Sequence, residues 1–187
     1  MKAIFLDKDG TLVPAPSPDS TPRPPTLSRG AGPALRLLAR LDYRLFVVAD
    51  QPDVAFGRCD AGALGAAGGQ LGDLLAREQL ELAGVYWCPH HPEGTVAPWA
   101  AACHCRKPLP GLLLMAAHEH GIDLRASWMV GDVLHDVEAG NRAGCRTILI
   151  DNGGEGEWRL GPRRVPTRMA PDLYTAAVLI ASHGGTP

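Results

Sequence analysis

An α/β fold, with a parallel sheet covered by helices on both faces, is predicted for this chain by three observations. Short apolar runs alternate along the sequence with longer stretches of helical periodicity. Several of those runs stop abruptly at charge or glycine, as buried strands do where they open into a crevice. At 187 residues, 45% of them hydrophobic and without an internal repeat, the chain suits one domain, 1–187, with a substantial core.

Each element follows from local pattern. Ala3-Ile4-Phe5-Leu6 is a β-branched and aromatic run ended by Asp7-Lys8-Asp9-Gly10, which reads as a buried strand with carboxylates at its C-terminal edge. Residues 14–25 are crowded with Pro, Ser, Thr and Asp and are expected to form a loop. Leu35, Leu38 and Leu41 share one stripe of a helix over 33–41, which feeds a second strand over 43–49 ending at Asp50. Residues 59–80 are expected to be helical toward their end, where Leu71, Leu74 and Leu75 recur despite the glycines. Val85-Tyr86-Trp87 is a third strand, followed by a cysteine- and histidine-bearing loop. Helices are predicted over 112–120 and 137–143, the second stopped by Gly144, and strands over 128–131 and 147–150. A terminal helix covers 171–182.

Composition excludes several classes. A net charge of -2 gives no general attraction to nucleic acid, and Arg163, Arg164 and Arg168, with no aromatic residue interleaved, read as a solvated loop. The first apolar run is too short for a secretory core or a membrane span, so a cytoplasmic protein without a membrane partner is expected. A monomer is expected. Three of the five cysteines lie within residues 88–105 beside histidines, a spacing that favours metal over disulfides.

Three distant segments carry the chemistry: Asp7-Lys8-Asp9-Gly10-Thr11, Arg106-Lys107, and Gly131-Asp132 through Asp136. Taken singly, each has an ordinary explanation as a turn, a solvated lysine or a helix N-cap. Together, at the ends of apolar runs, they would converge carboxylates that need a cation, and hard oxygen ligands favour magnesium. Lys107 adds the positive charge that an incoming phosphate requires. A magnesium-dependent phosphate-transfer site is the expectation. Tetrahedral zinc needs four nitrogen or sulfur ligands at about 2.0 to 2.3 Å, and the pairs Cys88/His90 and Cys103/Cys105 supply four, enough for a closed structural site. His91 and His104 are spare, and Cys59 and Cys145, without comparable partners, read as structural thiols.

The Asp7-Lys8-Asp9-Gly10-Thr11-Leu12 start, Lys107-Pro108 and the 131–136 segment resemble motifs I, III and IV of the haloacid dehalogenase (HAD) phosphatases. Cys88-Pro89-His90-His91-Pro92-Glu93-Gly94 with Cys103-His104-Cys105-Arg106-Lys107-Pro108 resembles the branch that holds heptose bisphosphate and histidinol-phosphate phosphatases. The resemblance covers nearly the whole chain. It implies a Rossmann-like HAD fold with no large cap domain, the cysteine-histidine loop serving as a small lid over a small phosphorylated metabolite. It implies Asp7 as nucleophile, Asp9 as acid and base, and Lys107 against the transferring phosphoryl group, with Arg106 in reach of the substrate's second phosphate or another polar group. Magnesium would be held by Asp7, the Asp9 carbonyl and Asp132, with Asp136 in support, and zinc by Cys88, His90, Cys103 and Cys105.

Motif II departs from that pattern. Relatives place a Thr or Ser and then Asn-Gln after the second strand, as donors to phosphate; here the substrate-facing candidates are Ala49, Asp50 and Gln51. Ala49 has no donor and an ionised Asp50 would repel phosphate. Losing one preorganised donor costs on the order of 3 kcal/mol, or about two decades in rate. An arginine expected shortly afterwards is Phe56, with Arg58 nearby, and a lysine after the late Gly-Asp is Val133. Two readings follow: an active phosphatase of altered preference, or a catalytically weak relative that binds phosphometabolites or a partner. A zinc-ribbon nucleic-acid binder is disfavoured by charge and by the carboxylates.

Overall fold

The computed structural model describes residues 1–16 and 25–183. Of the loop expected over 14–25, residues 17–24 lie outside the described residues. Six strands form one parallel sheet: β1 (Lys2–Leu6), β2 (Tyr43–Asp50), β3 (Gly84–Cys88), β4 (Trp128–Gly131), β5 (Arg146–Ile150) and β6 (Arg168–Ala170), in the order β3-β2-β1-β4-β5-β6. The helices are α1 (Ala31–Ala39), α2 (Gly62–Ala76), α3 (Gly111–His120), α4 (Leu134–Ala143) and α5 (Leu173–His183).

Strand periodicity divides the core into two layers. Ile4 and Leu6 of β1 face one side with Leu45, Val47, Ala49, Val130 and Ile148, and pack against Ala34, Leu35 and Leu38 of α1, Leu71 and Leu75 of α2, and Ala176 and Ile180 of α5. Ala3 and Phe5 face the other with Phe46, Val48 and Met129, against Leu112, Leu113 and Ala116 of α3. Strands covered on both faces are near-continuously apolar, which is why β1, β2 and β4 were legible as runs and not as alternations. Among the described residues no helix is long and apolar enough to cross a membrane.

Three expectations need correction. Helix α4 starts at Leu134, not at 137, because its first turn is held by acceptors: the Val133 N–H donates to Asp136 Oδ2 at 3.3 Å and the Leu134 N–H to Glu155 Oε2 at 2.6 Å. Strand β6 has no signal in the sequence; three residues, two of them exposed, carry no readable period, and Arg168 opens it instead of lying in a loop. Arg164 is not simply solvated: its Nε donates to Glu138 Oε2 at 2.7 Å, and Arg142 of the same helix as Glu138 meets the other oxygen at 2.6 Å.

Candidate active site

Register brings the first and third segments together. Leu6 pairs with Val130, and the Asp7 N–H donates to the Val130 carbonyl at 2.9 Å, so Asp7 and Gly131-Asp132 leave the sheet side by side. After Asp7 the chain turns tightly. The Lys8 carbonyl accepts from both Leu12 N–H and Val13 N–H at 2.9 Å, and Gly10, at φ +82°, lies so close to the Asp132 carboxylate that a Cβ would collide with it. Gly131 is constrained in the same way by Asp136, which is fully buried in the first turn of α4. Carboxylate oxygens of Asp7, Asp132 and Asp136 lie within 4.8 Å of one another.

Lys107, 6% exposed, enters this cluster from the segment before α3. Its ammonium contacts Asp7, lies 2.6 Å from Asp136 Oδ1 and donates to the Val48 carbonyl at 3.3 Å. Burial alone would favour a neutral amine, but Asp136, Asp7 and Asp50 together hold the lysine well above its ordinary range. The converse holds for the acids. Burial, with the charge of Asp7, pushes Asp132 up to about 6, and burial raises Asp136 against the pull of Lys107. One ammonium therefore undercompensates three carboxylates, and that residual negative charge among oxygen donors fits a hard divalent cation.

The remaining candidates are spread around this centre. Asp9 is ion-paired with Lys8 and its carboxylate is not among the three clustered ones. Ala49 is 1% exposed and packed in the core, so its methyl group offers nothing to a substrate. Asp50 is engaged within the chain: Oδ1 accepts from the Lys107 N–H at 3.3 Å and Oδ2 lies 3.8 Å from Arg106 Nη1. Burial raises its pKa, opposed by Lys107 and Arg106. Gln51 lines a cavity of about 230 Å³ with Lys8, Cys59 and Leu64. A second cavity, about 490 Å³, opens beside Asp132 and includes Thr11, Arg29 and Asn152.

Sequence reasoning missed Asn152 and Glu155. Asn152 Nδ2 donates to the Gly10 carbonyl at 2.6 Å while its Oδ1 accepts from the Gly154 N–H at 2.9 Å, tying the segment after β5 to the turn after β1. Asn-Gly-Gly after an apolar run was the available signal, the same strand-end signature already used for Asp7 and Asp132.

The four proposed zinc ligands converge. Cys105 Sγ lies 3.0 Å from Cys88 Sγ, 3.3 Å from Cys103 Sγ and 3.4 Å from His90 Nδ1, and Cys88 Sγ lies 3.6 Å from Cys103 Sγ. Tetrahedral zinc-sulfur bonds of about 2.3 Å would set sulfurs roughly 3.7 Å apart, so the cluster fits that ion with little adjustment. Burial raises the Cys88 and Cys105 thiols. For Cys103 burial acts the same way, but the Arg106 N–H at 3.2 Å and the neighbouring thiols outweigh it and lower the pKa. His91 stands outside the quartet, its ring centroid 4.9 Å from that of Phe56 at a tilt of 44°, and His104 also lies outside it. Cys145 is buried, whereas Cys59 is only partly so.

Comparison with known proteins agrees with this geometry. A family model described as HAD-hydrolase-like matches residues 104–176. The D-glycero-β-D-manno-heptose-1,7-bisphosphate 7-phosphatase of Yersinia pestis is 37% identical over 152 residues, 81% of each chain. That of Escherichia coli strain K12 is 36% identical over 152 residues, 81% of this chain and 80% of the other. The solved D,D-heptose 1,7-bisphosphate phosphatase of B. bronchiseptica, complexed with magnesium and phosphate, superposes with a TM-score of 0.77 at 28% identity, covering 98% of this chain and 99% of that one. With the six-stranded parallel sheet and its convergent strand-end acids, the chain belongs to the heptose bisphosphate phosphatase family of HAD-like hydrolases.

Proposed function

We propose that this chain is a magnesium-dependent phosphatase that removes the 7-phosphate of D-glycero-D-manno-heptose 1,7-bisphosphate through an aspartyl-phosphate. The observation that carries the reading is the buried Lys107 ammonium between Asp7 and Asp136, beside Asp132 at the neighbouring strand end. Lys107 fixes the Asp7 carboxylate and presents positive charge where a transferring phosphoryl group gathers negative charge. Asp7 attacks phosphorus in line, the bond to the sugar oxygen breaks, and Asp9 gives that oxygen its proton. Asp9, now ionised, takes a proton from water, which attacks the acyl-phosphate, releases phosphate and regenerates Asp7. Asp7, Asp132 and the Asp9 carbonyl, with Asp136 in support, would hold magnesium, whose charge would offset repulsion between nucleophile and phosphate. Cys88, His90, Cys103 and Cys105 would hold zinc, which would order the loop that ends in Arg106-Lys107.

The names of the Yersinia and Escherichia relatives support the substrate, and the magnesium and phosphate in the B. bronchiseptica structure support the ion. The test is phosphate release from both anomers of the bisphosphate, with histidinol phosphate alongside. Release from the bisphosphate that needs magnesium is the expected result. Preferred hydrolysis of histidinol phosphate would reassign the substrate, and no release from any of the three would overturn the phosphatase reading.

A further inference from the structure

At the end of β2 this chain carries a carboxylate in place of a phosphate donor, and that carboxylate is already committed. Asp50 stands opposite Cys88 in the β2–β3 ladder, and the next residue's N–H, from Gln51, donates to the Cys88 carbonyl at 2.7 Å. Its backbone is thus fixed beside the first cysteine of the loop. Its two oxygens divide between consecutive residues at the other end of that loop: Oδ1 accepts the Lys107 N–H at 3.3 Å, and Oδ2 faces Arg106 Nη1 at 3.8 Å. Arg106 Nη1 also donates to the His90 carbonyl at 3.5 Å, which holds the guanidinium near Asp50 from a second side.

The consequences for the two residues differ. Lys107 turns inward to Asp7 and Asp136, and its reach is set by where its backbone is pinned. The Arg106 side chain stays 29% exposed, with the partly buried Asp50 side chain, 19% exposed, as its counter-ion. In a partly buried setting an opposite charge at this distance is screened less than at a surface, so it lowers the guanidinium's attraction for a further anion.

The geometry points to Asp50 as a positioning residue that also sets specificity: one oxygen pins the backbone from which Lys107 reaches Asp7, and the other neutralises Arg106 against a substrate's second phosphate. The inference rests on the phosphatase reading above. It makes the motif II change a weaker hold on the distal phosphate of the bisphosphate than a carboxamide at this position would leave, and not a simple loss of a donor.

The test compares heptose 1,7-bisphosphate with heptose 7-phosphate, which differ only in the distal phosphate, across Asp50→Asn, Asp50→Ala and Arg106→Ala. Asparagine retains an acceptor for the Lys107 N–H but not the charge. Asp50→Asn is expected to lower KM for the bisphosphate by about fivefold while moving KM for the monophosphate less than about twofold, as expected when one neutralising charge is removed. Asp50→Ala, lacking the acceptor as well, is expected to lower kcat on both sugars by about tenfold relative to Asp50→Asn, as lost positioning of a charged group does. Combining Arg106→Ala with Asp50→Asn should erase the KM gain. Equal KM shifts for the two sugars, or equal kcat for the Ala and Asn variants, would overturn the inference. If the wild-type chain turned over neither sugar, the phosphatase reading would fall, and calorimetric titration of the same two sugars into wild type and Asp50→Asn would still decide the specificity: a preferential gain for the bisphosphate sustains it and a uniform change overturns it.

Discussion

The carboxylate centre and the cysteine-histidine loop stand at the same edge of the sheet, but they are held there by different means. Asp7, Asp132 and Asp136 are fixed by two paired strand ends and the first turn of a helix, and their charge is partly answered within the chain by Lys107. Cys88, at the end of β3, is the one member of the quartet that a named element carries; His90, Cys103 and Cys105 lie in irregular chain between β3 and α3, and among the described residues no cationic side chain bridges them as Lys107 bridges the acids. The acids are therefore preorganised by the fold, whereas the thiols, two of them raised by burial, would gain their order from the proposed zinc, whose binding displaces their protons. Because Arg106 and Lys107 follow Cys105 directly, the less self-sufficient region sets the position of the cation on which the other depends.

That contrast is challenged most severely at Asp7. Asp7→Asn should remove phosphate release by roughly three decades or more, with the melting midpoint little changed, because the fold and not the carboxylate holds the strand end. Steady-state phosphate release beside a thermal melt checks it. Next is Lys107→Ala, expected to lower kcat by about two decades through lost phosphoryl stabilisation. It also leaves Asp7 and Asp136 buried without their shared cation, so the same melts should show a clear loss of stability.

Removing the proposed zinc is the test that separates the two regions. Stripping it with a chelator, in excess magnesium, should lower kcat about tenfold or more and increase amide exchange across residues 88–107, while β1 and β4 keep their protection. Unchanged activity in zinc-free protein would break the proposed dependence of Lys107 on the loop. The smallest effect is away from both centres. Burial opposes ionisation of Glu138, but hydrogen bonds from Arg164 and Arg142 outweigh it and hold the pKa below the ordinary 4.5. A lowered carboxylate pKa stabilises the fold above the ordinary value and is lost as pH falls through the lowered one. Glu138→Gln should thus cost about 2 kcal/mol at pH 7. The gap between variant and wild-type melting midpoints should narrow as pH falls below 4.5.

The same contrast explains what the sequence makes legible. Strands that end in Asp7, Asp50 and Gly131-Asp132 are readable because an apolar run stopping at a carboxylate reports burial and crevice in one signal. The cysteine pairs are readable because close spacing in a polar loop has few other uses. What escapes depends on contacts between distant segments. The role of Asp50 requires the Lys107 N–H, 57 residues away, so the sequence shows only a misplaced negative charge. The start of α4 depends on Glu155, 21 residues beyond the Leu134 N–H that it accepts from. Strand β6 is recruited by pairing with β5, through Thr147, Thr167 and the 148–150 register, and not by its own pattern.

The most direct measurement is peptide mapping of enzyme quenched in acid during turnover of heptose 1,7-bisphosphate. A phosphoryl group on the Asp7 carboxylate, absent from Asp7→Asn, is the predicted result. Phosphate release with the phosphoryl group on any other residue would contradict the assignment of Asp7 as the nucleophile.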